Sequence, residues 1–254
     1  MTLKITPLPG LPVVKPGDDL ADLVIKAIVH AQLELHDGDI LVIAQKIISK
    51  SEDRFVDLNS VAPSDRALKL ADQTDKDARL VELVIRESKS ILRFRPGTII
   101  VEHKLGFVCA NAGIDHSNVS PDGESREVVL LLPEDPDRSA ALIRRSLEEW
   151  CSKKIGVLVI DSHGRAWRMG TVGVAIGISG IPGIVDLRGD PDLFGRTLQV
   201  TQVGTADELA AAASLMMGQA DEGTPVVHIR GFPYPLREGE MQELLRPEEE
   251  DLFR

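Results

Sequence analysis

Two short clusters carry the residue types that hold hard cations and phosphate oxygens. The first lies within Gly106 to Asn118, read Gly-Phe-Val-Cys-Ala-Asn-Ala-Gly-Ile-Asp-His-Ser-Asn. Asp115, Ser117 and Asn118 offer a carboxylate, a hydroxyl and an amide within four positions. Loops set by rigid strands bind cations and phosphates with such groups. Gly113 permits a backbone conformation closed to other residues. A turn closed by its own side chains accounts for the same residues equally well. The second cluster is Asp161-Ser162-His163-Gly164-Arg165, directly after the apolar run Ile155 to Ile160. A carboxylate and a hydroxyl ending a hydrophobic strand suit a metal-nucleotide site. Arg165 and Arg168 can meet anions bidentately. His163 receives no catalytic role.

Buried strands must hold these groups in place. Ile40 to Ala44 is a continuous apolar run that predicts a buried strand, and Gln45-Lys46-Ile47-Ile48-Ser49-Lys50 follows it. Ligands of α/β sheets bind beyond strand ends, so Lys46 and Lys50 are candidate phosphate contacts. Two solvated surface lysines are the plainer alternative.

The pattern predicts further strands at Leu3 to Thr6, Thr98 to Val101, Phe107 to Ala110, Glu127 to Leu132, Val172 to Ile178, Ile184 to Gly189, Thr197 to Gly204 and Pro225 to Ile229. Helices are expected from Asp18 or Asp19 onward, over Pro63 to Thr74, Asp75 to Ser90, Pro136 to Trp150 and Ala206 to Met217. The Asp75 to Ser90 helix carries the stripe Leu80, Leu83, Val84, Glu87 and Ile91; that of Pro136 to Trp150 carries Leu142, Ile143, Leu147 and Trp150. Pro7 to Val14 is too rich in Pro and Gly for a helix and reads as an extended loop. Gly218 is either a helix cap or the opening of a nucleotide loop that runs to Thr224.

Composition narrows the classes. The chain has 254 residues, 43% hydrophobic but only 4% aromatic, which implies a Val, Ile, Leu and Ala core of the α/β kind. A net charge of −11 argues against nucleic acid as a partner. Anionic substrates would need local lysines, arginines or bound metal. Two cysteines, Cys109 and Cys151, make neither a four-thiolate site nor a disulfide framework. No apolar run approaches the ~20 residues of a membrane span, and the N-terminus has no signal-peptide pattern. A soluble cytoplasmic protein is expected. GxxxxGK[ST], GxGxxG, HExxH and GxSxG motifs are all missing from the sequence.

Gly10-Leu11-Pro12, Ile48-Ser49-Lys50, Asn111-Ala112-Gly113-Ile114-Asp115-x-Ser117-Asn118, Asp161-Ser162-x-Gly164-Arg165 and Met217-Gly218-Gln219 occur in this order. In combination they resemble the coenzyme F420:L-glutamate ligase family, over essentially the whole chain. The resemblance implies one ligase domain over residues 1–254, of α/β (α+β mixed-sheet) class. It likewise implies two intertwined α/β subdomains, a fold that is neither P-loop nor Rossmann, and a homodimer. It further implies GTP-dependent addition of L-glutamate to the deazaflavin precursor coenzyme F420-0 through an acyl phosphate, with later glutamates γ-linked. Mg²⁺ or Mn²⁺, as two ions per site, and K⁺ are the implied ions.

Residue by residue, Asp115 and Asp161 resemble ligands of a first divalent ion, and Ser162 and Gln219 ligands of a second. Lys50 and Asn118 resemble GTP contacts. Leu11, Pro12, Val13 and Val14, with Gly218, Gln219, Ala220, Asp221, Glu222, Gly223 and Thr224, resemble walls of the nucleotide pocket. Gln45 and Lys46 stand where some relatives have Ser-Thr, so their contact to GTP is the least supported by resemblance. Asp115, Asp161 and Lys50 are the catalytic candidates. The C-terminal nitroreductase-type domain of some relatives is not expected. Arg165, Arg168 and Arg188 are candidates for the glutamate pocket. A metal-dependent phosphohydrolase and a non-catalytic nucleotide-binding module remain open as alternatives.

Overall fold

The computed structural model describes residues 2–117, 119 and 127–252. In chain order the regular elements are β1 (Lys4–Pro7), α1 (Leu20–His30), β2 (Ile40–Ala44), α2 (Gln45–Ser51), β3 (Phe55–Asp57), α3 (Asp65–Thr74), α4 (Ala78–Arg86), β4 (Ser88–Arg95), β5 (Thr98–His103), β6 (Val108–Ala110), β7 (Val128–Leu130), α5 (Pro136–Cys151), β8 (Gly156–Arg165), β9 (Arg168–Ser179), β10 (Val185–Asp186), β11 (Gln202–Val203), α6 (Thr205–Met217) and β12 (Val226–Arg230). The class is mixed α and β, as expected. Four sheets occur among the described residues, the largest ordered β1-β12-β2-β8-β9.

That sheet is mixed. β2 and β8 run parallel, with Ala44 opposite Ile160, and every other neighbouring pair is antiparallel. Side chains alternate across it, as strand geometry requires. Leu41, Ile43, Val157, Val159 and Ile176 face a core shared with α1 and α5. Ile40, Val42, Leu158, Ile160 and Val227 face a second core against α6. Both helix layers come unusually close to β9. A Cβ on Gly173 would lie 2.5 Å from the Ala210 carbonyl of α6, and one on Gly177 would lie 2.6 Å from Pro136 of α5. The glycines in this strand therefore serve close packing on both faces.

Side-chain capping explains where four of the helices begin. Asp19, Ser64, Asp77 and Asp135 each accept a backbone N–H of the following turn. The Asp19 cap agrees with the sequence expectation. Other expectations need correction. The helix predicted over Asp75 to Ser90 ends at Arg86, and Ser88 onward turns into β4, which carries Ile91. In α5 only Ile143 and Leu147 of the predicted stripe are buried; Leu142 and Trp150 are exposed. The strands predicted at Ile184 to Gly189 and Thr197 to Gly204 shrink to two-residue pairs. The largest change concerns β8. It does not end at Asp161 but continues to Arg165 as a hairpin with β9. Its parallel neighbour β2 stops at Ala44, so Asp161 is the first β8 residue beyond the shared edge. No helix among the described residues is long and apolar enough to cross a membrane.

Candidate functional site

One edge of the large sheet gathers the chemistry. β2 and β8 run parallel, so Gln45, where β2 ends, and Asp161, the first β8 residue past the shared pairing, lie side by side at this edge. β12 is antiparallel to β2, so the loop that precedes it, Gly218 to Thr224, arrives at the same edge. β1 is antiparallel to β12, so its exit into Leu11 to Val14 lies there too. A cavity of about 710 Å³ results, within the range of small-molecule sites. Its walls include Leu11, Pro12, Val13, Val14, Gln45, Lys46, Lys50, Asp115, Asp161, Ser162, His163 and every residue from Met217 to Thr224. Segments separated by more than two hundred positions thus share one space. Asn118 lies outside the described residues.

Asp115 reaches the cavity through an unusual turn. Asn111, Ala112 and Gly113 have φ of 50°, 54° and 64°, a left-handed turn in which only glycine is at ease. The Asn111 side-chain oxygen accepts the Ile99 N–H at 3.1 Å, and Ala112 is fully buried. Asp115 then pairs its backbone with Leu130. The Asp115 carboxylate accepts from Gln45 Nε2 at 2.6 Å on Oδ2 and faces Lys46 Nζ at 3.3 Å on Oδ1. Burial pushes this carboxyl above its ordinary pKa, and the negative charge of Asp161 adds to the push, against the pull of Lys46 and Gln45.

Asp161 behaves in the opposite way. Burial raises its carboxyl, but the hydrogen bond from His163, with Nε2 3.0 Å from Oδ2, the His163 charge, the Ser162 N–H and the Lys46 charge together outweigh that and hold it below the ordinary value. The His163 ring rests against Phe107 at 5.3 Å, and Phe107 stacks on His103 at 5.2 Å. Lys50 lies one helical turn after Lys46 on α2; burial and the neighbouring Lys46 charge lower its pKa, with Asp115 opposing.

Ser162 Oγ donates to Gln219 Oε1 at 2.9 Å, while Gln219 Nε2 donates to Ser214 Oγ at 3.2 Å. Thr224 Oγ1 lies 3.2 Å from the Met216 and Met217 carbonyls and closes the C-terminal end of α6. Gly218 has φ of 73°, and a Cβ there would collide with the Glu222 carboxylate. That carboxylate accepts the Ala220 N–H at 2.8 Å, so the loop is closed upon itself.

The donor set fits a hard cation. The charge of Asp161 raises the Asp115 carboxyl, as expected of a carboxylate with another close by. Ser162 Oγ and Gln219 Oε1, hydrogen-bonded to each other at 2.9 Å, are two neutral oxygens that could ligate a hard cation. No cluster of three or more His, Cys, Asp or Glu suited to a metal occurs among the described residues, so neutral oxygens and substrate would complete any such shell.

The sequence profile described as F420-0:Gamma-glutamyl ligase matches residues 10–231. The chain belongs to this family. It is 48% identical over 256 residues to the coenzyme F420:L-glutamate ligase of Methanothermobacter thermautotrophicus, covering all of both chains. The Methanopyrus kandleri protein of the same name is 47% identical over 257 residues, covering all of this chain and 98% of its own. That of Archaeoglobus fulgidus is 43% identical over 254 residues, covering all of this chain and 97% of its own.

Some residues are placed differently from the sequence expectation. Gln45 lines the cavity, but its amide spans Asp115 and Ser49, whose hydroxyl donates to Gln45 Oε1 at 2.9 Å. It is 2% exposed and serves the carboxylate first. Arg165, Arg168 and Arg188 are not part of the cavity wall among the described residues. Arg188 is engaged by Asp186 on its own hairpin. Sequence reasoning missed the bond from His163 to Asp161. A signal existed: residues two apart in a strand share a face. The Lys46 to Asp115 pair joins positions 69 residues apart, and no local pattern reports it.

Proposed function

We propose that this protein joins L-glutamate to the deazaflavin precursor coenzyme F420-0 at the expense of GTP, through an acyl phosphate. The observation that supports this best is the convergence of Asp115, Asp161, Lys50, Ser162 and the Met217 to Thr224 loop on one nucleotide-sized cavity, in a chain whose relatives bear the ligase name.

A carboxylate resists amines until one of its oxygens becomes a good leaving group. In the first step a substrate carboxylate oxygen bonds to the γ-phosphorus of GTP while the bond to the β,γ-bridging oxygen breaks and GDP leaves. In the second step the glutamate nitrogen bonds to the acyl carbon, phosphate departs and the amine proton passes to solvent. Phosphoryl transfer depends on position and charge neutralisation rather than on a protein nucleophile. Asp115 and Asp161 would hold one divalent ion, and Ser162 and Gln219 a second. Mg²⁺ or Mn²⁺ there would neutralise the developing charge on phosphate oxygens. Lys50 would contact the GTP phosphates. Leu11 to Val14 would wall the nucleotide on one side and Gly218 to Thr224 on the other.

We further propose a homodimer. The tip of the β8–β9 hairpin exposes Trp167 and Met169, and the segment between β10 and β11 exposes Leu193, Phe194 and Val200. Apolar groups concentrated on two projecting segments suit a protein partner better than water. Light scattering on the purified protein should give twice the chain mass, and a monomer would remove this reading.

The test of the activity is a product assay by mass spectrometry. Purified protein is mixed with coenzyme F420-0, L-glutamate, GTP and Mn²⁺ or Mg²⁺. A mass gain of one or more glutamyl units that requires GTP and metal is expected. Release of GDP and phosphate without glutamyl product would instead support a phosphohydrolase, and no nucleotide turnover would support a binding module.

A further inference from the structure

Asp115 meets a protein donor on each of its oxygens, and the two donors differ in kind. Gln45 Nε2 donates to Oδ2 at 2.6 Å. Its own Oε1 accepts from Ser49 Oγ, and both Gln45 and Ser49 are buried, so this amide is fixed. Lys46 Nζ faces Oδ1 at 3.3 Å and donates to the Ser117 carbonyl at 3.2 Å. Its side chain is about a quarter exposed at the cavity wall, on a long flexible stem. Lys46 is therefore the donor that can leave. Its charge also reaches Asp161. Two lysines one turn apart on α2, Lys46 and Lys50, thus balance two carboxylates, Asp115 and Asp161. A divalent ion that enters this balanced set must displace an ammonium or be repelled by it.

We infer that Lys46 is a built-in competitor for the divalent cation at Asp115: its ammonium neutralises this carboxylate until a metal ion takes it over, and the released lysine then turns to the anionic oxygens of the nucleotide. This rests on the metal-nucleotide reading of the site. It gives Lys46 a role of its own and couples the two ligands. Metal binds weakly alone because it must evict a cation. It binds well with nucleotide because the evicted cation gains a new partner.

The experiment measures Mn²⁺ binding directly, by the loss of the free-ion electron paramagnetic resonance signal, with no turnover required. Wild type, Lys46→Met and Lys46→Arg are titrated with Mn²⁺ alone and then with GDP present, after circular dichroism shows all three folded. With Mn²⁺ alone, Lys46→Met should bind roughly tenfold tighter than wild type or more, because one repelling charge at a few ångströms is removed. Lys46→Arg keeps the charge and should stay weak. With GDP the advantage of Lys46→Met should shrink or reverse. Equal or weaker Mn²⁺ binding by Lys46→Met would overturn the competition while leaving the metal site intact. Equal tightening by Met and Arg would also overturn it, since charge would then not be the cause. Absence of Mn²⁺ binding in all three proteins, with and without GDP, would overturn the metal reading beneath it.

Discussion

His163 Nε2 lies 3.0 Å from Asp161 Oδ2, and the imidazole is held from behind by Phe107. The bond engages one oxygen of a carboxylate on the cavity wall. Partners of this kind orient metal ligands without touching the metal. His163→Ala should therefore weaken Mn²⁺ binding roughly tenfold to a hundredfold. His163→Asn, which keeps a donor, should recover part of the loss. Titration of Mn²⁺ by calorimetry checks this; equal affinity in all three proteins would reduce His163 to a packing residue.

Asp161→Asn removes a charge from the proposed phosphoryl site and relieves its repulsion of Asp115. Turnover should fall by roughly a hundredfold or more, as when an electrostatic contact to the reacting group is lost. The melting temperature should stay within about 4 °C of wild type, since the fold loses less than about 1 kcal/mol. Glutamyl transfer rates and calorimetric melting on the same preparation separate the two effects. An unchanged rate would remove Asp161 from the metal site.

Lys50 lies on the cavity-lining helix α2, one turn from Lys46. A charge-assisted contact to phosphate is worth about 1.5–3 kcal/mol. Lys50→Ala should thus raise the KM for GTP roughly tenfold to a hundredfold and leave that for glutamate nearly unchanged. Equal loss for both substrates would count against a phosphate role.

His103 is buried at 2% exposure, accepts the Leu105 N–H on Nδ1 and stacks on Phe107. Burial lowers its pKa to about 4, helped by the charges of Lys104, His163, Arg54 and Lys89. The folded value lies below the unfolded 6.5, so the unfolded chain binds more protons between them. The contribution is complete above pH 6.5 and is lost as pH falls towards 4. At full extent it is on the order of 3 kcal/mol. Urea unfolding at stepped pH should show His103→Phe losing less stability than wild type across this window. Parallel curves would show that His103 is not the titrating group.

Gly113 has φ of 64°, and a Cβ there would lie 2.7 Å from Leu132 Cδ1. Gly113→Ala adds a left-handed penalty of about 1–2 kcal/mol and forces Leu132 to shift. Chemical denaturation should show a loss of about 2–4 kcal/mol from strain and crowding together. Activity should fall further than stability predicts, because Asp115 is two residues away. A stability change near zero would mean that the turn relaxes.

The linear chain showed much of this because the relevant signals were local. Ile40 to Ala44 is apolar without interruption, and it is a central strand with its first four residues fully buried. Asp19 before the α1 stripe is a cap that acts within one turn. The helix-to-strand change at Arg86 to Ser88 was hidden because Glu87 and Ile91 continue the helical spacing, and pairing with β5 decides the matter. The length of β8 was hidden for the same reason. Asp161 to Arg165 looks like a loop until β9 folds back and pairs with each residue.

Sequence alone determined the chemical inventory: which segments carry carboxylates, hydroxyls, amides and lysines, and that an acidic, aromatic-poor chain would build an α/β core. Tertiary structure decided how that inventory is wired. The mixed order β1-β12-β2-β8-β9 brings four segments together at one edge. There Lys46 meets Asp115, Gln45 is turned away from the solvent to clamp the same carboxylate, and His163 takes hold of Asp161. The physical reason is range. Propensity and periodicity act over one or two turns of chain, whereas hydrogen bonds and charges act over ångströms in space, and only the folded sheet converts separation in sequence into proximity.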